Sequence, residues 1–158
     1  MLTLQRLTEE HGPAVLRFEI ENRAYFARSV RDRGDDYFVH FAERHAALLA
    51  ESDCCFHVLI DDDGRVAGRF NLVDVAEGAA ELGFRTAEAV AGRGLAKEGV
   101  RRVIALARAE YRLDRLTADA EVRNGASRAV LRATGFVETG PVERGGQPCV
   151  RHVLELSR

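Results

Sequence analysis

The sequence lacks the features that mark membrane-spanning and repetitive proteins. No apolar run among its 158 residues approaches the ~20 residues that a membrane-spanning helix needs. No low-complexity tract or internal repeat is visible, which excludes a repeat array. The first residues, Met1–Leu7, alternate apolar and polar side chains and lack the pattern of an export signal, so we expect a strand there. The protein is therefore expected to be soluble and cytoplasmic.

The sequence also has little net charge and few cysteines. The formal net charge is −2, and basic residues are scattered among acidic ones, which argues against nucleic acid as a partner. Three cysteines, an odd number with Cys54 and Cys55 adjacent, fit a reducing compartment. Neighbouring residues on a strand point to opposite faces, so Cys54, Cys55 and His57 are not expected to hold a metal ion.

The residues that are present predict one α/β domain over residues 1–158. A chain with 46% hydrophobic and 30% charged residues is long enough to bury roughly two thirds of its unfolded surface. Hydrophobic spacing indicates two early helices, after Gly12 and after Asp35, and a third over about Gly94–Glu110. Strands are predicted over Met1–Leu7, Cys54–Ile60, Arg65–Val75, Ala79–Thr86, Arg115–Val122, Val137–Pro141 and Cys149–Leu156, with a turn at the Asp-Gly pair 63–64.

The most informative stretch runs from the strand Ala79–Thr86 into the third helix. Gly92 and Gly94 allow the backbone to bend so that consecutive N–H groups point outward, and the helix behind them adds the positive end of its dipole. This arrangement suits a phosphate. It is not a Walker A loop, because Lys97 is followed by Glu98 rather than by Ser or Thr. It is a poor dinucleotide fingerprint as well, because Lys97 occupies the third glycine position.

The stretch resembles motif A of the GNAT acetyltransferases, Gln/Arg-x-x-Gly-x-Gly/Ala. Gly94-Leu95-Ala96 matches its second half, whereas Ala91 stands where Gln or Arg is usual. A second segment, Asn124–Phe136, resembles the Asn-x-x-Ser…Leu…Gly-Phe segment of the RimJ/RimL-type branch. Its residues also suit an ordinary capped helix, with Asn124 as the N-cap.

This resemblance implies the GNAT fold: about seven mostly antiparallel strands, a central parallel pair that splays apart, and about four flanking helices. It also implies acetyl-coenzyme A as the acetyl donor, with its pyrophosphate on the backbone amides and its pantetheine arm in the splay. No metal is implied. The residues expected to contact the cofactor are Phe84, Arg85, Thr86, Gly92, Arg93, Gly94, Leu95, Ala96, Lys97 and Asn124.

The implied chemistry needs a base for the amine and a partner for the departing thiolate. Glu81 is the first candidate for the base, and Asp119 and Glu121 on the neighbouring strand are the next. The alternative for Glu81 is that it is an ordinary strand residue that faces solvent. A backbone N–H near Phe84 is expected to stabilise the oxyanion. Val130 and Leu131 offer no tyrosine, so Ser127 is the candidate to stabilise the thiolate by hydrogen bonding.

The expected activity is direct acetyl transfer to a primary amine in a ternary complex. The RimJ/RimL-type resemblance favours a protein or peptide α-amino group as acceptor, and a small-molecule amine is the alternative. The early helices are expected to form one wall of the acceptor site. An inactive module that binds coenzyme A is a competing interpretation, because a tyrosine acid is absent and Ala91 departs from the motif. The assembly state, with a homodimer as one option, is left open.

Overall fold

The structure is a computed structural model that describes residues 1–156. Its strands are β1 (Thr3–Arg6), β2 (Cys55–Ile60), β3 (Val66–Ala76), β4 (Ala79–Thr86), β5 (Arg115–Glu121), β6 (Val137–Arg144) and β7 (Gln147–Glu155). Its helices are α1 (Gly12–Glu21), α2 (Arg23–Ala27), α3 (Asp35–Val39), α4 (Phe41–Leu49), α5 (Leu95–Ala109) and α6 (Gly125–Ala133). Short 3-10 turns cover Glu9–His11 and Glu88–Val90.

The seven strands form one sheet in the order β1-β2-β3-β4-β5-β7-β6. Strands β4 and β5 run parallel, because α5 crosses over between them, and the other neighbours are antiparallel. The predicted mixed sheet with a central parallel pair is therefore confirmed.

The parallel pair separates soon after it forms. Its three register pairs end at Glu81 and Thr117. Beyond this point β4 stays paired with β3 as far as Thr86, and β5 stays paired with β7 as far as Glu121. Within residues 1–156 the two strands share no later register pair, so a wedge opens between them. This is the predicted splay.

Helices cover both faces of the sheet. Alternate residues of each strand point to opposite faces, and they build two cores. One core joins α5 and α6 to the sheet through Leu72, Leu82, Val100, Leu116 and Leu131. The other joins α1 to α4 to the opposite face, and it contains Val15, Phe18, Phe26, Phe41 and Val58. The early helices thus form a wall over the face that carries Glu81.

The helix count and the last hairpin differ from the sequence-based prediction. Each predicted early helix is broken in two, so the described residues hold six helices. At the first break, the Asn22 side chain donates to Phe18 O (2.9 Å) and accepts from Glu88 N–H (3.0 Å), which turns the chain. The last two strands, predicted to end at Pro141 and to begin at Cys149, are longer and joined by a tight hairpin, because β6 reaches Arg144 and β7 starts at Gln147. No helix within the described range is both long and apolar enough to cross a bilayer.

Helix α5 lies very close to the sheet at one glycine. A Cβ atom built on Gly99 would stand 2.1 Å from the ring of Phe70, which is fully buried. Phe70 in turn stacks on Phe84 of β4, with ring centroids 6.1 Å apart. The glycine therefore sets the distance between α5 and the strand that leads to the wedge.

We expect Gly99→Ala to destabilise the fold, although alanine favours helix. The gain in helix propensity is about 1 kcal/mol. Overpacking costs about 1–3 kcal/mol, and the buried Phe70 ring has little space to move. Urea denaturation should show a lower midpoint. Gly125→Ala is the matched control, since nothing lies within 4 Å of its added Cβ; an equal loss in both variants would contradict the packing argument.

Candidate active site

The turn before α5 presents open backbone amides. Gly92 and Gly94 have φ of +78° and +75°, the left-handed region that glycine adopts without strain. Among residues 1–156 no acceptor is found for the first helical N–H groups, those of Leu95, Ala96 and Lys97, and no side chain caps this helix. The turn is exposed. These amides, with the helix dipole behind them, are free to bind an anion from solvent.

The wedge supplies a second set of unpaired backbone groups. The hydrogen bond from Ala87 N–H to Ala67 O (2.9 Å) fixes the phase of the antiparallel ladder between β3 and β4. Along this ladder, backbone groups point alternately toward β3 and away from it. The N–H and C=O groups of Leu82 and Phe84 therefore point away from β3, toward β5. The Leu82 N–H completes the last register pair, Glu81 with Thr117, so the groups left unpaired are the C=O of Leu82 and both backbone groups of Phe84. The Phe84 amide therefore faces the gap, as an oxyanion donor requires.

Two clefts run along this gap and share a wall. The smaller, of 130 Å³, reaches Thr86 on β4 and Ala96 on α5. The larger, of 380 Å³, reaches Glu81 and Asp119. The residues that line both are Val30, Phe84, Arg85, Asn124 and Ser127. A continuous groove thus leads from the start of α5, through the wedge, to the carboxylates.

Ser127 stands where the two clefts meet. The side chain of Asn124 caps α6 by accepting a hydrogen bond from Ser127 N–H (3.2 Å), as the sequence predicts for an N-cap. This cap fixes the first turn of α6 against the gap. Within the described residues the Ser127 hydroxyl has no hydrogen-bond partner, so it is available to a group in the groove.

The carboxylates at the far end of the larger cleft differ in accessibility. Arg144 bridges them, with Nη1 3.0 Å from Glu81 Oε1 and 2.6 Å from Asp119 Oδ2. Arg151 binds Asp119 through two further bonds of 2.9 Å. The Asp119 side chain is 4% exposed and that of Glu81 is 26% exposed. Hydrogen bonds from Arg151, followed by those from Arg144, lower the pKa of Asp119, so it stays ionised and is the poorer proton acceptor. Glu121, the remaining candidate, pairs with Arg123 at 3.1 Å.

A second charged cluster lies under the early helices. Glu19 of α1 is 1% exposed and accepts hydrogen bonds from three arginines, Arg33, Arg69 and Arg85, at 2.8–3.3 Å. Burial opposes ionisation of Glu19, but the three arginines outweigh it and lower its pKa. The Glu19 cluster, defined by these four residues, forms one end of the larger cleft through its arginines.

The structure gathers some predicted site residues and leaves others apart. Glu81, Phe84, Arg85, Thr86, Ala96, Asn124 and Ser127 line the groove. Gly92, Arg93, Gly94, Leu95 and Lys97 lie outside both clefts, on or beside the exposed turn. Arg85, predicted to contact the cofactor, lines both clefts; its guanidinium binds Glu19 and stacks 4.5 Å above Phe26.

Sequence reasoning missed the arginines of both clusters and the buried Glu19. One signal for Glu19 was present, since it follows Val15 by four residues and Phe18 by one, on the apolar stripe of α1. A carboxylate at such a position needs cationic partners. Nothing local indicated which arginines these would be.

Comparison with known proteins identifies the family of the chain. The sequence model of the Acetyltransferase (GNAT) domain family matches residues 1–137. A probable N-acetyltransferase of Bacillus subtilis (strain 168), YjcK, is 29% identical over 134 residues, covering 79% of this chain and 74% of that protein.

Solved structures share the fold at low identity. The ribosomal-protein-S5-alanine acetyltransferase of Vibrio fischeri superposes with a TM-score of 0.89 at 17% identity, covering 98% of this chain and 92% of that one. RimJ of Mycobacterium smegmatis, in complex with CoA-disulfide, gives a TM-score of 0.87 at 20% identity, covering 98% and 81%.

The fold and these matches define an acyltransferase. The chain belongs to the GNAT acetyltransferase family, whose donor is acetyl-coenzyme A, and it resembles the RimJ type.

We expect Asp119→Asn to reduce stability at neutral pH. The folded-state pKa of Asp119 lies below its unfolded value of about 3.9, so its contribution is present above pH ~3.9 and is lost as pH falls through the folded pKa. The free energy of unfolding at pH 7 should fall by about 1–3 kcal/mol. The parent and the variant should converge in acid.

Denaturant titrations between pH 7 and pH 2 measure this difference. Asp63→Asn, in the exposed turn after β2, serves as the control and should match the parent throughout. A gap between parent and Asp119→Asn that persists at pH 2 would show that the carboxylate acts through packing and not through its charge.

Proposed function

We propose that the protein moves an acetyl group from acetyl-coenzyme A to a primary amine by direct attack in a ternary complex. The observation that carries this proposal is the wedge between β4 and β5. It connects Ala96, in the first turn of α5, with the carboxylate of Glu81 along one groove. The family membership supports the same reaction.

The residues present fit acetyl-coenzyme A. The unpartnered amides of Leu95, Ala96 and Lys97 suit its pyrophosphate, and exposed Lys97 adds a positive charge beside them. The unpaired backbone of β4 beyond Glu81 suits the amide groups of a pantetheine arm, which completes the sheet as a short extra strand. When bound, acetyl-coenzyme A supplies a thioester carbonyl that an amine can attack.

Glu81 is proposed to take the proton from the acceptor amine, directly or through water. An amine must be neutral to attack, and free amines titrate between about 8 (α-amino) and about 10.4 (lysine). Glu81 lines the larger cleft and remains partly exposed, whereas Asp119 is held by two arginines. Arg144 fixes the position of the Glu81 carboxylate. The Phe84 amide would stabilise the negative charge that develops on the carbonyl oxygen.

Ser127 is proposed to hydrogen-bond the departing thiolate. Its hydroxyl stands where the two clefts meet. A serine hydroxyl is a poor acid, so it stabilises the thiolate without delivering a full proton. Asn124 keeps it in place by capping α6.

The acceptor we favour is an α-amino group at a protein or peptide N-terminus, with a small-molecule amine as the alternative. The name of the Vibrio fischeri neighbour refers to such an acceptor, an alanine of ribosomal protein S5. An inactive module that binds coenzyme A is the competing class. A thiol-release assay with a panel of amines separates the two, because a module would bind coenzyme A but release no thiol above background.

Gly94→Glu should abolish coenzyme A binding. A Cβ at Gly94 has no heavy atom within 4 Å, so the side chain reaches solvent beside the open amides, where a carboxylate would repel a diphosphate. Gly94→Gln is the matched control, since it adds the same bulk and the same strain at positive φ without the charge. Calorimetry should show at least a tenfold weaker affinity for the Glu variant than for the Gln variant. Equal affinities would argue against a diphosphate site at this turn.

Glu81→Gln should lower the rate by about a hundredfold or more and displace the acid limb of the pH–rate profile, because a general base must be ionised to act. Glu121→Gln, which alters a carboxylate on the same face of the neighbouring strand, is the control. Steady-state kinetics from pH 5 to pH 10 measure both. If the control variant loses activity instead, the base is Glu121; if neither changes, neither residue is the base.

A further inference from the structure

The arginines of the Glu19 cluster carry more positive charge than its single carboxylate neutralises. Three arginines face one carboxylate, which leaves a surplus of two positive charges. Glu19 accepts four hydrogen bonds, the full capacity of a carboxylate. Burial, followed by repulsion from Arg33, lowers the pKa of Arg85 to about 10. The remaining guanidinium N–H groups therefore lack a partner of opposite charge.

Most of the other acidic groups nearby are already paired with arginines. Around the larger cleft, Glu81 and Asp119 bind Arg144 and Arg151, two charges of each sign. Glu121 pairs with Arg123. The cleft that Arg33 and Arg69 also line contains Arg44, which pairs with Asp36, and Glu51, which forms no ion pair within residues 1–156. Even if Glu51 offsets one of the two surplus charges, one positive charge of the cluster stays without a counter-charge.

Two buried polar groups in the larger cleft also lack partners. Arg69 is 5% exposed, and its Nε–H meets no acceptor within residues 1–156, although one of its Nη groups binds Glu19. The buried side-chain oxygen of Asn71 has no donor. Leaving a buried donor or acceptor unpaired is costly, so such groups mark a place where a ligand completes the hydrogen bonds.

These groups lie in a row on one face of the sheet. In the register of β3 and β4, Arg69 pairs with Arg85, Asn71 with Gly83 and Val73 with Glu81, so their side chains share a face. Positions two apart on a strand are separated by about 7 Å. Gly83 has no side chain, and no atom lies within 4 Å of where its Cβ would be, which leaves space over the middle of the row.

We infer that the acceptor carries a carboxylate close to its amino group; this inference rests on the proposed acetyl transfer. Arg33 and Arg69 bind the carboxylate, and the amino group lies over Gly83, between Asn71 and Glu81. The row has donors and positive charge at one end and acceptors with the base at the other. This order of groups suits an amine with an anionic group beside it. The positive charge at one end would repel a polycationic acceptor. The carboxylate is either the α-carboxylate of a free amino acid or the side chain of an acidic N-terminal residue.

Paired acceptors that differ in one charge test this inference and separate the two sources. Thiol release from acetyl-coenzyme A is measured with alanine against alaninamide, and with Glu-Ala-Ala-amide against Gln-Ala-Ala-amide. In at least one pair, kcat/KM should be about tenfold or more higher for the anionic member, mainly through KM. Equal or better use of both neutral members, or preferential use of spermidine, would overturn the inference.

Variants test whether the preference for anionic acceptors depends on the arginines of the Glu19 cluster. Arg33→Gln alters a partly exposed member and should abolish the preference, because kcat/KM falls more for the anionic member of a pair than for the neutral member. Arg17→Gln, on exposed α1 surface and paired with Glu21, should keep the preference. Arg69→Lys retains the charge beside Glu19 but loses the Nε–H, and it should weaken the preference with thermal stability checked in parallel. A preference that survives Arg33→Gln would place the anion site elsewhere.

A binding measurement keeps this inference separate from the proposed function. If no amine releases thiol, the acetyl transfer proposal fails, and thermal stabilisation by the same four amines then decides the inference. Stabilisation of the parent by an anionic member, lost in Arg33→Gln, would support the carboxylate site. Equal shifts within both pairs, or no shift with any of the four, would refute it.

Discussion

The missing hydrogen bonds between β4 and β5 are the constraint on which the rest of the site depends. A buried backbone N–H or C=O is costly when unpaired, so a sheet normally continues its ladder as far as both strands extend. Here the ladder stops at Glu81 and Thr117, while both strands continue with their outer partners. The wedge is therefore a built feature of the sheet. It leaves a row of backbone groups that an extended, amide-containing ligand can satisfy.

The surrounding elements keep this wedge open and direct groups into it. The contact of Gly99 with Phe70 brings α5 close to the sheet, so the open amides at its start lie at the end of the groove. The capped first turn of α6 places Ser127 at the middle. On the opposite face, Arg144 ties Glu81 and Asp119 together across the two diverging strands. This contact bridges the gap between the strands at the point where the backbone does not.

Charge divides the larger cleft into two ends. The end with Glu81 and Asp119 is balanced by Arg144 and Arg151, whereas the end with Glu19 keeps two positive charges in excess. Interactions between charges are stronger in a partly buried site than in water. The cleft therefore has an electrostatic direction that a substrate must match. Under the proposed function this direction, more than the shape of the groove, would select the acceptor.

The features that depend on local backbone chemistry could be predicted from the amino-acid sequence. Positive φ at Gly92 and Gly94, the Asn124 cap and the central βαβ unit are each encoded within a few neighbouring residues or in hydrophobic periodicity. The fold was predicted from these patterns together with the resemblance to the GNAT family. The two charged clusters, in contrast, are formed by contacts between residues far apart in the chain. Glu19 meets arginines 14, 50 and 66 residues away, and Glu81 meets Arg144 across 63 residues. Such contacts depend on how the strands register and where the early helices break, and no short pattern in the chain specifies either.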